Sequence, residues 1–120
     1  MPTFEAWDVV KVPFPYTDRP VRHHRPALVV AAGGIAAGHG LIWVLMITSA
    51  ENRGWDEDVV ISDRDLAGLP VASVVRCAKI ATVDYADAER IGCLANDDRK
   101  AVAQQIASIL PAGSWSRARR

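Results

Sequence analysis

Arg25, Thr48 and Ser49 are the side chains best placed for chemistry, because each adjoins an apolar run that can hold it still. Arg25 closes the basic stretch His23-His24-Arg25, and Pro26 follows at once. A proline disfavours helix at the residue before it, so Arg25 is held extended. The unbroken apolar run 27–31 ends at Gly33-Gly34, the pattern of a strand buried on both faces. A second apolar run, 41–47, stops abruptly at Thr48-Ser49. If these runs pair, a guanidinium and two hydroxyls share one rim. A planar guanidinium fork can hold two phosphate oxygens. Hydroxyls at the end of a rigid strand can donate to the same group. The plainer alternatives are an ion pair between Arg25 and Asp18, and loop capping by Thr48 and Ser49.

Other residues bear on such a site. Imidazoles are general acids and bases. Neighbours on an extended segment point opposite ways, so at most one of His23 and His24 faces the rim; otherwise both are solvated loop residues. His39, between two glycines, reads as exposed. The loop 16–22 offers Arg19, Arg22 and Tyr16 for contact with a nucleic-acid strand, against the alternative of an ordinary solvated loop. Trp55 lies in a polar stretch and is the better stacking candidate, whereas Trp43 reads as core or subunit interface.

Composition bounds these possibilities. A chain of 120 residues, 50% hydrophobic and formally uncharged, is expected to form one globular domain. Zero net charge argues against coating nucleic acid by bulk electrostatics but permits a local basic groove. The charges do segregate: Arg19, Arg22 and Arg25 crowd one loop, and Glu51, Asp56, Glu57, Asp58, Asp63 and Asp65 another. Cys77 and Cys93 match no metal or redox spacing and read as two reduced, buried thiols. The start of the chain carries no apolar leader, and the longest apolar run is too short to span a bilayer. A cytoplasmic location without membrane contact is therefore expected.

The elements that must position the rim follow from periodicity. A first strand over 7–12 alternates Val10 and Val12 with Lys11, which predicts one wet face. Pro13 and Pro15 end it. Strands are predicted over 27–32 and 41–48, with turns at Gly33-Gly34 and Gly38-His39-Gly40 between them. A short strand over 58–61 precedes a helical turn over 63–66 capped by Ser62, with Gly68 and Pro70 ending it. Two further strands are predicted over 73–76 and 79–83, and a helical turn over 86–90 stopped by Gly92. The clearest helix begins at Asn96 or Asp97 as cap and carries Val102, Ile106, Ile109 and Leu110 on one face. Pro111 ends it, and 111–120 form a basic tail. Short strands plus one C-terminal helix predict a small barrel with a helix against it.

In their order and spacing these residues resemble the PemK/MazF family, the toxins of type II toxin–antitoxin systems. The resemblance runs through Asp8-Val9-Val10-Lys11-Val12-Pro13-Phe14-Pro15-Tyr16-Thr17-Asp18, then Arg25-Pro26-Ala27-Leu28-Val29-Val30, then Ile47-Thr48-Ser49. Gly68-Leu69-Pro70, Ser73-Val74-Val75, Lys79-Ile80 with Thr82-Val83-Asp84, and Ile91-Gly92 continue it. It covers about residues 7–110 of a single 1–120 toxin domain. It implies a mainly β fold with a C-terminal α-helix, a small SH3-like β-barrel of the PemK/MazF/CcdB type. It implies a homodimer, a cognate antitoxin, and a metal-independent, cofactor-free endoribonuclease (an mRNA interferase) that cuts single-stranded RNA. Carried over by position, Arg25 and Thr48 are the catalytic pair, and Ser49, Thr17, Asp18, Arg19, Arg22 and His24 are RNA-binding. Two positions depart from the family pattern: His23-His24 stand where a basic residue often precedes the arginine, and Trp7 stands where glycine is common. A gyrase-poison toxin of the same fold and a catalytically silent RNA-binding member are the alternative readings.

Overall fold

The computed structural model describes residues 3–13 and 24–111. The elements are β1 (Asp8–Pro13), β2 (His24–Ala31), α1 (Gly33–His39), β3 (Leu41–Ser49), β4 (Asp58–Val60), β5 (Ser73–Asp84), β6 (Glu89–Cys93) and α2 (Asn96–Ile109). The strands make one 6-stranded sheet in the order β4-β5-β3-β2-β1-β6, and each paired neighbour is antiparallel. This is the expected mainly β fold with a C-terminal helix. The sheet does not close strand to strand. Its outer strands are β4 and β6, and the turn after β4 bridges them: the Leu66 carbonyl accepts the Cys93 amide of β6.

Apolar residues fill both faces because the central strands are apolar at consecutive positions. Val9, Leu28, Leu45, Ile47, Val75 and Leu94 pack on one face under α2, which contributes Val102. Val10, Val12, Ala27, Val29, Val44 and Met46 pack on the other with Phe4 and, from α1, Ala36. Each fully buried aliphatic side chain of this kind contributes roughly 1.5–3 kcal/mol. Asp8 is a buried carboxylate held by Arg90 (Nη2 to Oδ2 2.7 Å) and by the Glu5 amide.

Several sequence expectations are corrected. β1 has no wet face: Val9 is as buried as Val10 and Val12, and only Lys11 within 8–12 is exposed. β2 begins at His24, so Arg25 is a strand residue. The glycines at 33–34 and 38–40 bracket a helix instead of two turns, closed by Gly40 at φ 68. Residues 63–66 form a hydrogen-bonded turn, not a helix, with the Leu66 amide donating to Asp63 Oδ1. The two strands predicted over 73–83 are one continuous strand, β5. Leu45 faces Ile80 and Ile47 faces Val75, so residues 76–79 oppose Met46 alone and bow out of the ladder. That extra length is what sequence spacing registers as a break.

At the C-terminal end, a 3-10 turn occupies Tyr85–Asp87, and Arg90 and Gly92 belong to β6. α2 is preceded by Ala95 with no side-chain cap; Asp98 turns away and accepts from the Ser62 amide and hydroxyl. Of its predicted apolar face, Val102 is buried and Ile106 half-buried, but Ile109 and Leu110 are exposed. Cys77 is buried and Cys93 only half-buried. Trp7 adopts φ 78, the left-handed conformation that favours glycine. Its position is fixed by backbone bonds, its amide donating to Val29 and its carbonyl accepting from Leu94.

Candidate active site

The site follows from the register of the central strands. Ala27 faces Met46 and Leu28 faces Leu45. Continuing that register toward the rim places Arg25 across from Thr48, both on the face that carries Ala27 and Met46. On the next strands Val12 pairs with Arg25 and Val74 with Thr48. The pair is thus set by four strands of the sheet, not by a loop.

Arg25 and Thr48 line a cleft of about 660 Å³ together with His24, Lys11 and Ser49. Its far wall is the 65–71 segment, including Gly68, Leu69 and Pro70, and Ile91 of β6. One carboxylate, Asp65, also lines it. Arg25 and Thr48 border a second, smaller recess of about 110 Å³ as well, shared with Met46, Arg76 and Lys79. Among the described residues no group of ≥ 3 His, Cys, Asp or Glu is gathered as metal ligands would be.

The hydroxyls are engaged in part. Thr48 Oγ1 accepts a hydrogen bond from Asn52 Nδ2 at 3.1 Å. Ser49 Oγ accepts the Glu51 amide at 3.3 Å and so caps the 3-10 turn Ala50–Asn52. A hydroxyl that accepts one bond retains its proton for another acceptor.

Arg76, which the sequence reading takes only as a strand residue, is anchored beside the pair. Its Nε and Nη2 hold Asp58 Oδ1 and Oδ2, each at 3.1 Å, and Nη2 also donates to the Asn52 carbonyl at 2.6 Å. Its guanidinium lies 4.2 Å from the centroid of the Trp55 ring. The side chains of Arg76 and Asp58 are 13% and 7% exposed, so the pair is largely screened from water. Burial would raise the Asp58 carboxyl, but hydrogen bonds from Arg76 and from the Trp55 and Gly54 amides outweigh it and hold it below the usual carboxylate range. The residues missed by sequence reasoning are Asn52, Arg76, Lys79, Lys11 and Asp65. An arginine directly after two valines in an apolar strand, Val74-Val75-Arg76, is the one available signal, since such a side chain needs a partner where it is buried.

The remaining predicted residues distribute as follows. Thr17, Asp18, Arg19, Arg22, His23 and Tyr16 lie outside the described residues, and with them the Arg25–Asp18 alternative. His39 is exposed on the last turn of α1. Trp55 is exposed and stacked on Arg76. Trp43 is not core; it stands half-exposed beside an apolar groove of about 350 Å³ between the sheet and α2, with Ile80, Ile109 and Leu110.

Residues 5–110 match the family described as PemK-like, MazF-like toxin of type II toxin-antitoxin system. The chain belongs to this family. Its fold is similar to that of a MazE-MazF crystal structure from Deinococcus radiodurans, with TM-score 0.72 and 23% identity over 92% of this chain and 98% of that one. It is similar also to the Mycobacterium tuberculosis toxin MazF-mt6, with TM-score 0.67 and 22% identity over 84% and 93%. A mycobacterial endoribonuclease in complex with its cognate antitoxin matches with TM-score 0.68 and 15% identity over 90% and 93%. No curated protein matches the chain by sequence. No helix among the described residues is long and apolar enough to cross a membrane. Arg25 and Thr48, the pair that the family resemblance singles out, both line the cleft of this toxin.

Proposed function

We propose that this toxin is a metal-independent endoribonuclease of single-stranded RNA, held in check by a cognate antitoxin in the cytoplasm. The observation that carries the reading is that Arg25 of β2 and Thr48 of β3 line the same cleft and the same smaller recess. Strand cleavage uses the neighbouring 2′-OH as nucleophile. Its proton is removed, negative charge builds on the phosphorane oxygens, and the leaving 5′ oxygen is protonated. The guanidinium fork of Arg25 suits the two non-bridging oxygens, and the Thr48 hydroxyl donates to the same phosphate. His24, which also lines the cleft, contacts the RNA. Ser49 and, outside the described residues, Thr17, Asp18, Arg19 and Arg22 guide the RNA strand. The products are a 2′,3′-cyclic phosphate and a 5′-hydroxyl.

The antitoxin assignment is supported by the family description and by the MazE-MazF complexes among the similar structures. A homodimer is supported by the apolar groove beside Trp43, which a second copy would cover. The test is incubation of the purified protein with a long RNA in EDTA, with both new ends mapped. Cleavage leaving a 5′-hydroxyl is expected; strict dependence on Mg²⁺, or no cleavage at all, would overturn the reading.

A further inference from the structure

We propose that Asn52, clamped by the Arg76–Asp58 pair, is a positioning residue that aims the Thr48 hydroxyl at the phosphate. The inference rests on the nuclease reading above and assigns a role to residues outside the Arg25–Thr48 pair. Three contacts link into one chain. Asn52 Nδ2 donates to Thr48 Oγ1 at 3.1 Å. The Asn52 carbonyl is gripped by Arg76 Nη2 at 2.6 Å. Arg76 is itself fixed by both Asp58 oxygens at 3.1 Å and by the Trp55 ring. Asp58 further accepts the Gly54 and Trp55 amides at 3.3 Å, so the stretch from Asn52 to Asp58 is tied at both ends.

The chemistry of the contact sets its direction. A threonine hydroxyl can rotate, and without a neighbour its proton samples every acceptor within reach. An amide N–H pointing at Oγ1 occupies one lone pair and excludes the proton from that side. The O–H is then turned away from Asn52, and Arg25 borders the same recess as Thr48. Donation to a bound oxyanion no longer requires the hydroxyl to reorganise, the condition under which a fixed dipole is most effective. The β4–β5 register, in which Asp58 faces Arg76, is what assembles the clamp, and Arg76 borders the recess that Arg25 and Thr48 share.

The experiment is a double-mutant cycle read in single-turnover cleavage of a defined RNA, with binding measured separately. Asn52→Ala is expected to slow cleavage about three- to tenfold, the range for one neutral hydrogen bond, with RNA affinity unchanged. In the Thr48→Ala background the same substitution is expected to change nothing further, because there is no hydroxyl left to aim. Arg76→Lys, which keeps the charge but loses the fork, is expected to follow the same pattern. Three other results overturn the inference. Wild-type cleavage by Asn52→Ala is one, and an equal loss in both backgrounds is another, marking a structural role. A fall in RNA affinity that persists with Thr48→Ala is the third, marking direct contact. These are distinguishable from failure of the nuclease reading, in which Arg25→Ala and Thr48→Ala themselves cleave like the wild type.

Discussion

The α-carbon of Gly68 lies so close to Ile91 of β6 that a methyl group on it would overlap the Ile91 carbonyl. Gly68 is also at φ 73. Both facts follow from its task, which is to bring the 65–71 wall of the cleft against β6. Gly92 makes the reciprocal approach to the backbone of Ala67 and Leu66. Gly68→Ala is expected to cost more than the roughly 1–3 kcal/mol of a strained left-handed residue alone. Gly40→Ala, at φ 68 with nothing near its added methyl, is the control that carries the strain without the overlap. Denaturant midpoints of the two variants check this, and an equal loss for both would show that the close approach is slack.

Cys77 provides a pH signature. Burial pushes its thiol up from 9.0 to about 11, and the charges of Asp58 and Glu57 act in the same direction. The folded state therefore holds the thiol proton more tightly than the unfolded state. Its contribution to stability is complete below pH 9 and is lost as pH rises toward 11. The stability difference between wild type and Cys77→Ala is expected to shrink over that window, as read by unfolding at fixed pH values. A constant difference from pH 8 to 11 would contradict it.

Asp58 gives the opposite sign. Its carboxyl is held below the usual range, so its contribution is present above about pH 4 and lost as pH falls through its lowered value. Between pH 5 and 8 the clamp on Arg76 stays intact. Asp58→Asn is expected to melt lower than wild type at pH 7 and to converge with it in strong acid. Thermal melts across pH 2–7 test this, and a gap that persists at the acid end would contradict it.

Much of this was legible before the fold was seen. The runs 27–31 and 41–47 could only be buried strands, and their ends fixed Arg25 and Thr48 as rim residues. The break at Cys77-Ala78 misled because a strand that bows around one partner residue looks, in one dimension, like two strands. Asp58 and Arg76 were illegible as a pair because only the β4–β5 register, Asp58 facing Arg76, brings them together. The helix at Gly33–His39 was hidden by its own glycines, which have low helical propensity and form it only because Ala36 packs on the sheet.

The groove beside Trp43 leads to an assembly prediction. Trp43, Ile80, Ile109 and Leu110 are 46–52% exposed around one depression, a concentration of apolar surface that a partner would bury. Ile80→Glu is expected to leave the fold intact, since its side chain is already outside the core, and to convert a dimer to the 13.0 kDa chain. Light scattering at micromolar concentration reads the outcome; a wild type that is monomeric there removes the basis for a dimer.

Arg25 is the residue on which the functional reading turns. It is an exposed strand residue at the rim, so Arg25→Ala is expected to change stability by less than about 1 kcal/mol. Cleavage is expected to fall about 10²–10³-fold, the loss of roughly 2.7–4 kcal/mol that follows removal of one oxyanion donor. Arg25→Lys separates charge from shape: a single ammonium cannot span two phosphate oxygens, so recovery is expected to be slight. His24→Ala, in the same cleft, distinguishes a proton-transfer group from a spectator. Parallel cleavage assays with matched melting curves decide among them. If Arg25→Ala cuts RNA at the wild-type rate while His24→Ala does not, the reaction belongs to the histidine side of the cleft and the Arg25–Thr48 pairing is structural.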